Sequence, residues 1–86
     1  MSETIYKYPI GPVTDLQLPE GAEILCVQAQ YGIPCIWVKV DTMKSYKSRQ
    51  IRVYGTGYVL SDECQKYIGT FQLDGGHLVF HVFEVI

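Results

Sequence analysis

The strongest constraint on this fold is the regular recurrence of turn residues, which leaves no room for a long helix. Proline and glycine interrupt the chain at intervals of roughly 8–12 residues, a spacing typical of all-β domains. The clearest turns are Asp74-Gly75-Gly76 and Tyr31-Gly32, where glycine is free to take a positive φ. Both predict β-hairpins. The sequence therefore predicts an all-β fold, a small antiparallel meander barrel or sandwich of six or seven strands.

The segments between the turns alternate apolar and polar residues, as half-buried strands do. We expect strands over residues 4–10, 13–18, 23–32, 34–41, 49–57, 66–73 and 77–85. One helical turn is expected over residues 61–66, because Ser61 can cap it and acidic residues follow. Residues 1–86 are expected to form a single β domain.

Alternation also divides the third, fourth and fifth strands into two faces. The core side is expected to hold Leu25, Val27, Ala29, Ile36, Val38, Val40, Ile51 and Val53. The other side carries a mixture of polar and aromatic side chains. In a meander, adjacent strands would lay these side chains next to one another, about 5 Å apart.

The aromatic and basic residues of that second side predict a site for a small phosphorylated ligand. Aromatic rings stack on bases, and a guanidinium pairs with phosphate through two hydrogen bonds. The glycine pair that follows could turn consecutive backbone N–H groups toward one anion. The predicted site is Trp37, Lys39, Arg52, Tyr54, Gly55, Thr56, Gly57 and Tyr58. Packing, a subunit interface or a simple turn would explain the same residues without a ligand.

The last strand is apolar on both of its alternating sides. Leu78, Phe80 and Val82 are expected in the core. Val79, His81 and Phe83 would then lie against another subunit or a second sheet. A chain of 86 residues buries too small a core to leave such a surface unused, so a homo-oligomer, a dimer or tetramer, is expected.

The cysteine count and the histidine spacing argue against a metal site or an enzyme. Cys26, Cys35 and Cys64 are an odd number without zinc-site spacing, so reduced thiols are expected. His77 and His81 would lie on one face of a strand about 13 Å apart, too far to share a metal. We expect no catalytic residue, metal or cofactor.

Net charge and hydropathy argue against long nucleic acids and membranes as partners. The net charge of −2 argues against long nucleic acids, although five of the seven cations lie between Lys39 and Arg52. That cluster suits a small anion, or an edge strand protected by lysines. No apolar run approaches the ~18 residues of a spanning helix, so no membrane is expected. The opening MSETIYKY has no secretory pattern, which favours a cytoplasm.

Three stretches carry a family resemblance: IYKYPI, LPEGAEIL with CIWVKVD, and GTG with YIGTFQ and HVFE. Together they resemble a family of small uncharacterised tailed-bacteriophage proteins. The matching positions are Lys7, Tyr8, Gly21, Ala22, Gly55, Thr56, Gly57, Gly69, Thr70, His81, Val82, Phe83 and Glu84. The chain departs from the family at Tyr58, where histidine is common, and at Phe80, where tryptophan is common.

The resemblance implies a phage protein in the host bacterial cytoplasm. Together with the predicted ligand site, it suggests a counter-defence "sponge" that sequesters a cyclic oligonucleotide immune signal without hydrolysing it. Trp37 or Tyr54 would stack on a base, while Arg52 and Lys39 would neutralise phosphate; Arg49 lies on the other face and would matter less. The alternatives are inhibition of a host enzyme by protein–protein interaction, or a minor structural role.

Overall fold

Seven β-strands dominate the computed structural model, which describes residues 2–86. They are β1 (Glu3–Pro9), β2 (Val13–Pro19), β3 (Glu23–Gln30), β4 (Ile33–Asp41), β5 (Tyr46–Gly55), β6 (Gln65–Leu73) and β7 (Leu78–Val85). The all-β prediction is confirmed. No helix within residues 2–86 is long and apolar enough to cross a membrane.

The strands form a sandwich of two antiparallel sheets. Sheet A has three strands in the order β1-β4-β3, and sheet B has four in the order β2-β5-β7-β6. Only β3–β4 and β6–β7 pair with their neighbours in sequence, so the expected meander is wrong. The strands β4 and β5, which a meander would pair, lie in different sheets.

Both predicted hairpins are present, but the predicted helical turn is not. Tyr31-Gly32 joins β3 to β4, and a 3₁₀ turn over Asp74–Gly76 joins β6 to β7. Residues 61–64 are irregular, with bends at residues 62 and 63 instead of a helix, and β6 begins at Gln65. Ser61 still acts locally, because its hydroxyl accepts a hydrogen bond from the Glu63 N–H at 3.2 Å. That bond closes a tight turn without starting a helix.

The core lies between the sheets and matches the alternation in most strands. Its fully buried members include Ile36, Val38, Ile51 and Val82. Leu25 was expected inside but is 43% exposed. A bulge between Ile24 and Cys26 inserts one residue into β3 and rotates Leu25 outward, while Ile24 packs against the core.

The prediction that Leu78, Phe80 and Val82 of β7 lie in the core is confirmed only in part. Val82 is buried and Phe80 packs against the core, whereas Leu78 is 48% exposed at the start of β7. Glu84 continues the inner face two residues after Val82 and is a buried carboxylate.

Two sheet edges pack together and two remain open. The strands β3 and β6 approach so closely that a Cβ on Gly69 would lie 2.7 Å from Val27 Cγ1. Each of the two strands carries a bulge near this contact. The edges of β1 and β2 lie at the other margins of the sheets. In β1, Tyr8 is half-buried and the other residues are exposed.

Candidate functional site

The eight residues of the predicted ligand site do not come together. Trp37 and Lys39 lie on β4, with their side chains on the side of sheet A opposite the buried Ile36 and Val38. Arg52 and Tyr54 occupy the corresponding outer side of sheet B. The core separates the two pairs. The prediction that they form one face is therefore wrong, because it rested on the meander.

The part of the predicted ligand site that lies on sheet A consists of Trp37 and Lys39. Trp37 is half-buried, and the Lys39 ammonium lies 3.7 Å from the Glu3 carboxylate at the exposed edge. Without Arg52 beside it, this pair offers a phosphate only one cation, which already has an acidic neighbour.

The Gly55-Thr56-Gly57-Tyr58 segment is a turn whose N–H groups are already used. The N–H of Tyr58 donates to the Gly55 carbonyl, and the N–H of Thr56 donates to the Val79 carbonyl, each at 3.1 Å. Gly57 has φ +89°, as the third position of a type II turn requires. The anion-binding nest expected here is wrong, because two of its donors are committed to protein carbonyls.

A cluster of aromatic and polar side chains covers the outer side of sheet B. We call it the aromatic face: Arg52, Tyr54, Tyr67, His81 and Phe83. The register places Arg52 and Tyr67 on either side of Phe83, and Tyr54 beside His81. The Phe83 ring packs edge-on against Tyr54 at 5.7 Å and Tyr67 at 5.5 Å between centroids. Three aromatic rings thus form a continuous row across three strands.

Hydroxyl groups fix the His81 ring within this face. His81 Nε2 lies 2.8 Å from Thr56 Oγ1, and Nδ1 lies 3.0 Å from Thr70 Oγ1. The Tyr67 hydroxyl continues the chain, 2.6 Å from Thr70 Oγ1. Both ring nitrogens have a partner in either neutral tautomer, because each hydroxyl can donate or accept. The network orients His81 and Tyr67 on the surface.

Arg52 links the aromatic face to the loop between β5 and β6. Its Nη2 lies 2.6 Å from Glu63 Oε1, and its Nε donates to Gln50 Oε1 at 2.9 Å. Burial raises the pKa of the Tyr54 hydroxyl, but the neighbouring Arg52 guanidinium and the Ser61 N–H outweigh this and lower the pKa below its usual value. The charge of the Arg52 guanidinium is therefore compensated by Glu63. The guanidinium holds the loop between β5 and β6 against the aromatic face.

The predicted interface residues all lie on the outer side of sheet B. Val79, His81 and Phe83 alternate with Phe80, Val82 and Glu84, which face inward. Sheet A covers the inward set, so the alternative that a second sheet covers Val79, His81 and Phe83 is wrong. Contact of these three residues with another subunit stays a prediction.

An apolar cleft opens at one end of the sandwich, beside the aromatic face. Its volume is about 300 Å³, and its lining includes Val53, Tyr58, Phe71 and Phe80. The Tyr58 ring lies over Gly55, where an added Cβ would approach the ring to 3.0 Å. Tyr58 is 71% exposed, so it borders the cleft without closing it.

The opposite end of the sandwich contains a buried ion pair. Arg49 contacts the Glu84 carboxylate through both Nε and Nη2, the latter at 2.8 Å. Arg49 Nη1 also donates to the Ala22 carbonyl at 2.6 Å. Arg49 does lie on the face opposite Arg52, as alternation predicted. It is a structural residue, however, and is unsuited as a neutral control.

Sequence reasoning missed Tyr67, Thr70 and Glu63. The first two share β6, whose pairing with β7 follows from the predicted hairpin, so counting back from the Asp74–Gly76 turn could have placed Thr70 beside His81. The bulge between Tyr67 and Gly69 obscures the register of Tyr67. Glu63 lies in a loop whose path has no signal in the sequence.

Fold and surface together define a small two-sheet β-sandwich with an aromatic and polar face on its larger sheet. The chain belongs to a family described as a domain of unknown function (DUF7352), whose model matches residues 1–86. No curated protein and no solved structure matches the chain.

Proposed function

We propose that this chain is a non-enzymatic binding protein that engages a protein partner through the aromatic face. The observation that carries the proposal is the row formed by Tyr54, Phe83 and Tyr67 on the outer side of sheet B. Tyrosine, phenylalanine and arginine are enriched at protein interfaces, and tyrosine and arginine often dominate their binding energy.

The charge of the aromatic face indicates the chemistry of that partner. Its aromatic row is uncharged, and the Arg52 charge is compensated by Glu63 at 2.6 Å. Charged residues are depleted from the cores of protein interfaces, as they are here. We therefore expect the partner to present a largely uncharged patch of aliphatic or aromatic side chains.

The fixed side chains support the same proposal. The His81 ring and the Tyr67 hydroxyl are held by hydrogen bonds to Thr56 and Thr70. Little rotamer freedom is then lost when a partner docks, and preorganisation of this kind favours affinity. The resemblance to phage proteins would make the partner a host enzyme that the chain inhibits.

Sequestration of a cyclic oligonucleotide is the second candidate. It is favoured by one observation: Arg52 and Tyr54 lie on the outer side of sheet B, and Thr56, in the turn that follows, contacts His81 on the same side. Tyr54 could stack on a base and Arg52 could bind phosphate, provided that the phosphate displaced Glu63. Trp37 and Lys39 have no part in this version of the site.

Binding of a purified partner to matched variants tests the main proposal. The partner would be found by affinity capture from the native host and then prepared on its own. Tyr67→Ser should weaken its binding at least about tenfold, since Tyr67 is 55% exposed at the end of the row. Tyr31→Ser is the control, because Tyr31 is 95% exposed in the β3–β4 turn. Equal effects of the two variants would contradict the proposal.

Calorimetry with cyclic di- and trinucleotides separates the second candidate. Glu63→Ala removes the carboxylate that neutralises Arg52, so a nucleotide bound by Arg52 should bind more tightly to this variant. Arg52→Ala should weaken the same binding by roughly 10- to 150-fold. Nucleotide binding that follows this pattern, with no protein partner affected by Tyr67→Ser, would replace the first proposal by the second. Recovery of an altered nucleotide would instead show an enzyme.

A further inference from the structure

The open edge of β1 has the features of a strand that pairs with another strand. All of its residues except Tyr8 are exposed, among them Ile5 at 55% and Tyr6 at 43%. Its pairing with β4 is regular over all seven residues, without a bulge. Proteins usually protect such an edge with a bulge, an internal proline, a covering segment or charged side chains; the two charges of β1, Glu3 and Lys7, are of opposite sign. In β1 the only proline is the last residue, Pro9.

The pairing of β1 with β4 identifies which backbone groups of the edge are free. Ser2 accepts a hydrogen bond from the Thr42 N–H, and the Ile10 N–H donates to the Pro34 carbonyl. In antiparallel pairs the hydrogen-bonding residues alternate, so the even-numbered residues of β1 point toward β4. The backbone N–H and carbonyl groups of Glu3, Ile5 and Lys7 therefore point away from the sheet.

We propose that two copies of this chain form a homodimer by antiparallel pairing of their β1 strands, with the two-fold axis beside Ile5. In this register Ile5 lies opposite Ile5 of the second copy. Glu3 lies opposite Lys7 of the second copy, and Lys7 lies opposite Glu3. All three free N–H groups of each edge then donate to a carbonyl of the other edge. The register ends before Pro9, which has no N–H to contribute.

The side chains are self-complementary in the same register. Glu3, Ile5 and Lys7 share the outer side of sheet A, because they alternate with the residues that pair with the buried side of β4. Opposite charges directly across a strand pair are favourable, as are paired apolar residues. Glu3 would then lie between Lys39 of its own chain, now 3.7 Å away, and Lys7 of the second copy. On the other side, Tyr6 would lie opposite Thr4.

The open edge of β2 does not offer this self-complementarity. The Val53 N–H donates to the Pro12 carbonyl, so the even-numbered residues of β2 point toward β5 and Asp15 points outward. Symmetric pairing of β2 about its outward-pointing residues Val13, Asp15 and Gln17 would place Asp15 opposite itself. Like charges directly opposite are destabilising. The structure thus favours β1 over β2 as the dimer edge.

The dimer would join the two copies of sheet A into one six-stranded sheet. The aromatic face lies on sheet B and stays uncovered in this arrangement, so dimerisation and partner binding are separate properties. The dimer also differs from an oligomer formed through Val79, His81 and Phe83, which would cover the aromatic face.

Ile5→Pro tests the dimer by removing the central pair of hydrogen bonds. The Ile5 N–H points away from β4, so proline is tolerated within the monomer, as on other edge strands. Gln17→Pro is the matched control, since the Gln17 N–H also points out of its sheet, on β2. Sedimentation equilibrium should show a wild-type dimer, a Gln17→Pro dimer, and at least about tenfold weaker association of Ile5→Pro. A wild-type monomer at 100 µM, or equal association of both variants, would overturn the proposal.

A charge exchange tests the register without proline. Glu3→Lys alone and Lys7→Glu alone place like charges opposite each other and should weaken association. The double variant restores opposite charges across the axis, so it should associate within about threefold of wild type. Additive weakening in the double variant would rule out this register. Circular dichroism on each variant checks that the sandwich is folded.

Discussion

Arg49 and Glu84 form the one ion pair of the described chain in which both side chains are largely enclosed. The exposed fractions are 23% for the Arg49 side chain and 10% for the Glu84 side chain. The hydrogen bonds that Arg49 donates to the Glu84 carboxylate raise the pKa of Arg49. The pair joins β5 to β7 inside sheet B, and the bond from Arg49 to the Ala22 carbonyl ties in the turn before β3. One side chain thus holds three segments.

Arg49→Ala should cost about 3–5 kcal/mol of unfolding free energy, because it leaves the Glu84 carboxylate buried without a partner. Urea denaturation measures the loss. The double variant Arg49→Met/Glu84→Leu should recover most of it, since apolar residues of similar size can replace a buried pair. A loss below about 1 kcal/mol, the range of surface ion pairs, would show that the pair is not structural.

Gly69→Ala should destabilise the sandwich by about 1–3 kcal/mol through overpacking. The added methyl would lie 2.7 Å from Val27 Cγ1, between β3 and β6. Gly11→Ala is the control, because its new methyl would come no closer than 3.9 Å, to Thr14 Oγ1. Thermal melting of the two variants compares them directly. Equal melting temperatures would mean that β3 and β6 are farther apart than described.

Replacement of the thiols should change stability according to burial, and binding not at all. Cys35 is buried, Cys26 is half-buried and Cys64 is exposed, and all three are free. Cys35→Ser replaces a buried thiol that donates to the Ile33 carbonyl at 3.4 Å and should lower the unfolding free energy by about 1 kcal/mol, whereas Cys64→Ser should be neutral. Loss of binding in a folded Cys64→Ser variant would show that a thiol takes part in function.

Asp41 should make the end of β4 sensitive to acid. The Met43 N–H donates to its carboxylate at 3.0 Å and lowers the pKa of Asp41, with a smaller contribution from the Ser2 N–H. A depressed pKa stabilises the folded state above the unfolded value of about 3.9, and this stability disappears as the pH falls through the folded pKa. Wild type should therefore exceed Asp41→Asn in unfolding free energy near neutral pH, and the difference should shrink as the pH falls below about 3.9 and disappear below the folded pKa. A constant difference across that range would exclude the carboxylate as its source.

The strands and hairpins were predictable because they depend on local signals. Alternation located Ile36 and Val38 in the core, and the Asp74–Gly76 turn set the pairing of β6 with β7. Local signals do not specify which distant strands pair. The chain crosses from β1 to β4 and from β2 to β5 through pairings that no short turn encodes.

The prediction of a single ligand site is wrong for that reason, and the sequence indicated only part of the aromatic face. Arg52 and Tyr54 were placed on the correct side of their own strand, but their assumed neighbours Trp37 and Lys39 belong to the other sheet. The two bulges limited the prediction of β3 and β6. Each adds one residue, at Leu25 and near Tyr67, so the residues before and after it do not share one alternation. The isolated Gly69 within its strand is a signal for the second bulge, whereas no residue type marks the first.

Asp15 has a consequence for the behaviour of the protein at high concentration. A sandwich in which both open edges pair with edges of other copies can grow into a fibre, as exposed edge strands do in aggregation. Asp15 is exposed in the middle of β2 and accepts a hydrogen bond from Gln50 at 3.0 Å. A carboxylate at that position would oppose pairing of two β2 strands and leave β1 as the edge available for pairing. If two β1 edges pair as proposed, assembly would stop at two copies, and Asp15→Val is expected to allow filaments visible by electron microscopy.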